Sequence, residues 1–103
     1  MDDKDCYQKV GQLLYNMSPD GARKIIMRAS LAQEGDVGTF EYDYVDKSGS
    51  TSWFVGGGDA NMEMVKILAL LQASYIAKGE PAWSGCEFVV DVEKGDFKIT
   101  FKY

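Results

Sequence analysis

Histidine does not occur in this chain. That removes the commonest general base, the triads built on it and the commonest zinc ligand. Chemistry would have to come from carboxylates. Glu41 and Asp43 stand two residues apart in an alternating segment, which sets them on one strand face about 7 Å apart. Such a pair could act as the acid and base of a hydrolase, or hold a divalent cation. Alternation explains them equally well without chemistry. Phe40, Tyr42 and Tyr44 take the opposite face, and a solvated face is where carboxylates belong. This plainer reading is preferred. Asp91-x-Glu93-x-x-Asp96 crosses a turn in the manner of a calcium loop, but without EF-hand spacing. Gly56-Gly57-Gly58 before a helix suggests a phosphate cradle. The chain has neither G-x-x-x-x-G-K-S/T nor G-x-G-x-x-G, however, and Asp59 would put a negative charge where the anion must sit. Asp59 is better used as the N-cap of the following helix. The expectation is a protein that is not an enzyme and holds no metal or cofactor.

The two cysteines, Cys6 and Cys86, form no C-x-x-C pair. Each falls where an apolar residue would suit a helix or strand face, so buried thiols are expected. A Cys6–Cys86 disulfide stays open. Trp83 is expected in the core at a helix–strand joint. Trp53, on a short strand among Asp43, Asp46, Ser50 and Ser52, has core packing as the slightly better reading and a binding hot spot as the other. Leu70 falls on the polar side of its helix, opposite Leu68.

The elements that position these residues follow from periodicity. Asp3 to Met17 reads as a helix with Cys6, Val10, Leu13, Leu14 and Met17 on one stripe. Asp2, Asp3 and Asp5 lie at its positive end, and Ser18-Pro19-Asp20-Gly21 stops it. Arg23 to Gln33 reads as a strand with Ile25, Met27, Ala29 and Leu31 inward and Ile26 as an exception. Glu34-Gly35-Asp36 turns the chain. Thr39 to Val45 and Thr51 to Val55 are strands joined by Asp46-Lys47-Ser48-Gly49-Ser50. Ala60 to Lys78 is a second helix with Met64, Val65, Leu68, Leu71, Tyr75 and Ile76 as its apolar stripe, ended by Gly79 and Pro81. Cys86–Val92 and Phe97–Tyr103 form a last hairpin, with Phe97, Ile99, Phe101 and Tyr103 alternating against Lys98, Thr100 and Lys102. The fold expected is α+β, in the order α-β-β-β-α-β-β: an antiparallel five-stranded sheet with two helices packed on one face.

At 103 residues, 46% apolar and 26% charged, the chain suits a single domain over 1–103. Met1-Asp2-Asp3-Lys4-Asp5 begins no secretory signal, and Val65 to Ala77 is too short and too polar to span a bilayer. A cytoplasmic protein is expected. The net charge of −5 disfavours a nucleic-acid binder and suits a basic partner, although it also serves solubility.

The last part of the chain carries a family likeness. Pro81-Ala82-Trp83-Ser84, a strand ending in Asp91, the Lys94-Gly95-Asp96 turn and the closing Phe97-x-Ile99-x-Phe101-x-Tyr103 strand resemble the YezG-like immunity proteins. The likeness is specific from Glu80 onward, and extends to the order of elements in the first half. Members of that family are bacterial antitoxins that neutralise polymorphic toxins, including the nucleases of contact-dependent growth inhibition. The resemblance implies an immunity protein that blocks a toxin domain, one that is basic if it is a nuclease. The family's shared motif is expected to encode the fold. The contact surface is instead sought on the acidic face of the second strand and its turns: Asp36, Glu41, Asp43 and Asp46, extended by Trp53, Asp59 and Glu63. The alternatives are a structural or oligomerising module, pairing with a second copy through an open edge on strand three or the terminal strand, and a carboxylate enzyme.

Overall fold

A computed structural model describes residues 3–31, 38–81 and 83–103. The elements are α1 (Asp3–Met17), β1 (Lys24–Leu31), β2 (Gly38–Val45), β3 (Thr51–Phe54), α2 (Gly58–Ala77), β4 (Gly85–Asp91) and β5 (Asp96–Lys102). The five strands form one antiparallel sheet in the order β3-β2-β1-β4-β5. This is the expected α+β architecture.

Register explains why both helices lie on the same side. Ile25, Met27 and Ala29 of β1 stand opposite Tyr44, Tyr42 and Phe40 of β2, and opposite Val90, Phe88 and Cys86 of β4. The apolar positions of neighbouring strands therefore meet on one face. Cys6, Val10 and Leu14 of α1 and Met64, Ile67, Leu68 and Leu71 of α2 share one buried cluster with them. Trp83 is fully buried, as expected, with its ring 5.0 Å from that of Phe101.

The turns use their residues as the sequence implies. The Asp46 carboxylate accepts from the Ser48 and Ser50 N–H groups at 2.9 and 3.1 Å, and Gly49 takes a positive φ of 84°. Asp91 organises the last hairpin, accepting Lys94 N–H on its side chain at 3.1 Å. Gly79 closes α2 with φ 79°, while the N–H groups of Gly79 and Glu80 reach back to the Ile76 and Tyr75 carbonyls.

Several expectations need correction. Asp59 is not the N-cap: Gly57, with φ 85°, holds that position without a side-chain cap, and Asp59 lies inside the first turn. A positive φ lets the chain swing from β3 into the helix, and the helix starts earlier as a result. Ile76 is exposed, because the buried stripe centres on Met64, Ile67, Leu68 and Leu71 and Ile76 falls past its flank in the last turn. Phe97 is 42% exposed although its ring stacks on Phe88, since β5 is an edge strand with no neighbour beyond it. Tyr103 lies past the end of β5 and is exposed. Asp3, in the first turn of α1, also has a long-range role. It accepts Ser74 Oγ at 2.6 Å and Lys78 Nζ at 2.5 Å, tying α1 to α2. Cys6 and Cys86 are both buried and are not joined by a disulfide.

Candidate functional site

With both helices on one face, the other face of the sheet has no covering layer among the described residues. Its side chains are those that alternate with the core positions of each strand. Across the middle runs a row in which Trp53 stands opposite Asp43, Asp43 opposite Ile26, Ile26 opposite Val89 and Val89 opposite Lys98. The next row sets Glu41 opposite Arg28, Arg28 opposite Glu87 and Glu87 opposite Thr100. Ile26, irregular in the strand pattern, is the half-buried apolar centre of this open face.

Arg28 links the two carboxylates that the sequence singles out. Its Nε–H donates to Glu41 at 3.4 Å, and its Nη2 donates to Asp43. The bond to Asp43 is the main reason the guanidinium holds its proton above the ordinary arginine range; burial opposes this, and Glu41 adds to it. The pairing is possible because antiparallel register sets β1 position 28 directly against position 41, with 43 on the adjacent diagonal. The Glu41 side chain keeps 77% of its surface exposed, whereas Asp43 keeps 21%.

Trp53 is 77% exposed. This overturns the core reading of that residue. Its neighbour Phe54 takes the core side, with its ring 5.5 Å from Tyr42, and alternation sends Trp53 outward beside Asp43. Val55, where β3 ends, is 76% exposed. Between this corner and β2 lies a cleft of about 330 Å³, lined by Arg28, Phe40, Glu41, Asp43, Trp53, Val55 and Asn61 among others. Asn61 anchors its floor by accepting the Tyr42 hydroxyl at 2.8 Å. Burial pushes the Tyr42 phenol up to about 12, so that hydroxyl stays a donor at neutral pH.

The remaining candidates divide. Asp46 sits in the β2–β3 turn, where the Ser48 and Ser50 bonds engage its carboxylate and lower its pKa, Ser48 foremost. Asp59 and Glu63 are exposed, but on α2, in the helical layer across the sheet from Glu41 and Asp43. Asp36 lies outside the described residues. The structure thus brings Glu41, Asp43 and Trp53 together and does not extend that face to Asp59 and Glu63. Arg28 was missed from sequence, because only register reveals what it opposes.

A larger cleft, about 660 Å³, runs between α1 and the β4–β5 hairpin, with Tyr7, Gln12, Tyr15, Val92 and Phe97 in its walls. The exposure of Tyr15 and Phe97 comes from their place beside an edge strand, which periodicity does not record. Among the described residues, no group of three or more Cys, Asp or Glu side chains is placed to hold a metal ion, and no helix is long and apolar enough to cross a membrane. Compared with known proteins, the chain matches no family model and no curated sequence.

Proposed function

We propose that this protein is an immunity protein, which binds and neutralises a cognate bacterial toxin by protein–protein contact in the cytoplasm. The observation that carries the reading is Trp53, held 77% exposed beside the Asp43 and Glu41 carboxylates on a sheet face with no helix over it. Exposed tryptophan is costly to leave in water and is the residue type most enriched at binding hot spots. Ile26 and Val89 supply an apolar centre, and the carboxylates supply a charged rim, the usual anatomy of a contact surface. The resemblance of the segment from Glu80 onward to immunity proteins supplies the class of partner. A nuclease toxin binds phosphate through basic groups, and carboxylates opposite those groups would speed association and exclude nucleic acid. The chain's charge of −5 favours such an encounter.

The same geometry disfavours the carboxylate-enzyme reading. A general acid and base must be presented to a bound substrate, yet Glu41 and Asp43 both already bond to Arg28. The test is to co-express the chain with the toxin domain encoded beside it. Restored growth together with a complex that co-elutes on gel filtration is expected. Persistent toxicity with no complex would sink the proposal.

A further inference from the structure

Strand β3 is shorter than the strand it pairs with. Its register runs only from Tyr42↔Phe54 to Val45↔Thr51, whereas β2 begins at Gly38. Backbone groups alternate sides along an antiparallel strand. The Asp46 N–H bonds toward β3, to Ser50. The Val45 carbonyl instead accepts from Arg23, the residue just before β1. Tyr42 and Phe40, in step with Asp46, therefore turn their N–H and C=O groups to the β3 side. At Phe40, β3 has already ended, and among the described residues no hydrogen bond reaches that amide or carbonyl from that side. The chain turns away at Val55 and Gly56, which opens the 330 Å³ cleft with Phe40 and Glu41 on one wall and Trp53 and Val55 on the other.

We propose that this free stretch of β2 accepts an extended segment of a partner protein as an added strand, with an arginine or lysine of that segment seated between Glu41 and Trp53. Unpaired strand N–H and C=O groups select an extended backbone, because only a strand can meet both in register. Charge selects the side chain. Two carboxylates against one guanidinium leave the cleft with an excess negative charge, and Glu41 is the exposed member. The exposed indole of Trp53 adds a face suited to a cation. The other edges fit worse. β5 carries Lys98 and Lys102, which guard an edge and repel a basic segment. The outer edge of β3 faces away from β2 and so from Glu41. β3 and the terminal strand β5 are the two edges of the sheet, as expected from sequence; the stretch of β2 that runs beyond β3 is a further opening beside the first of them.

Only the partner's identity as a toxin rests on the preceding proposal. The test uses a capped hexapeptide alternating arginine and valine, titrated into nitrogen-15-labelled protein, with a glutamate–valine peptide as control. The arginine peptide is expected to shift the Phe40 amide and the Trp53 indole and to slow hydrogen exchange at Phe40. Glu41→Lys should weaken its binding roughly tenfold. No shift at millimolar peptide, equal binding of the glutamate peptide, or shifts confined to 98–102 would overturn the inference, and the toxin proposal would then stand or fall on co-expression alone. Peptide binding at Phe40 combined with failed co-expression would keep the edge and remove the toxin.

Discussion

Gln72, on the buried side of α2, donates its side-chain amide to the main-chain carbonyl of Trp83 at 2.7 Å. Gln72 is 6% exposed and Trp83 fully buried, so the bond lies inside the core. It fixes the segment between α2 and β4, where no regular element would otherwise satisfy that carbonyl. Gln72→Leu keeps the volume and strips the donor. It should cost roughly 1–3 kcal/mol, the penalty for an unmet buried acceptor, read as a lower urea midpoint with unchanged slope.

Gly85 opens β4 beside β1, opposite Ser30. A Cβ built there would lie 2.7 Å from the Ala29 carbonyl oxygen, a backbone atom that cannot swing aside. Gly85→Ala should destabilise the fold by roughly 1–3 kcal/mol, as overpacking does. Gly58, in the first turn of α2, has open space around it. Gly58→Ala should stabilise by roughly 0.4–1 kcal/mol. Parallel urea titrations of the two variants check both signs.

Asp3 gives the fold a dependence on acid. The hydrogen bond from Lys78, then that from Ser74, holds its carboxyl below the ordinary 3.8. A depressed folded-state pKa contributes stability that is full above the unfolded value and fades as pH falls through the folded one. Asp3→Asn should therefore be less stable than the parent at pH 7, and the two should converge in strong acid. Thermal melts across that range decide it; a gap that persists at the acid end would refute the account.

Burial pushes the Cys86 thiol up to about 12, and Cys6 is buried to the same degree. Neither sulfur should react with a thiol-specific disulfide reagent at pH 8 while the protein is folded, because thiolate and access are both required. Two equivalents should react in denaturant, one for each cysteine. Rapid labelling of native protein would contradict this packing.

On the open face, Trp53→Ala should leave stability within about 0.5 kcal/mol, as exposed positions do, yet weaken the toxin complex by about 2 kcal/mol or more. Reversing charge at Glu41 and Asp43 together should slow association and flatten its salt dependence. Stopped-flow association at two ionic strengths separates these effects. Unchanged affinity in both variants would place the interface elsewhere.

Local pattern was enough for much of this molecule. The apolar spacing of Cys6, Val10 and Leu14 gave α1 its bounds, alternation sorted Tyr42 from Glu41 and Asp43, and Gly79 marked the end of α2. Each depends on neighbours within one turn or one pleat, which the sequence states directly. Local pattern could also err: Asp59 looked like a cap until Gly57, with its positive φ, took that place. The site was legible only in part. Glu41 and Asp43 were found, but Arg28 was not, because the partner across a ladder is set by register between strands far apart in sequence. Trp53 faces water because Phe54 fills the aromatic stack, and among the described residues the β2 edge is open at Phe40 because β3 stops at Phe54. The amino-acid order by itself determined which side chains share a face. Only tertiary packing decided which face the helices cover, which charges meet across it, and where a strand is left without a neighbour.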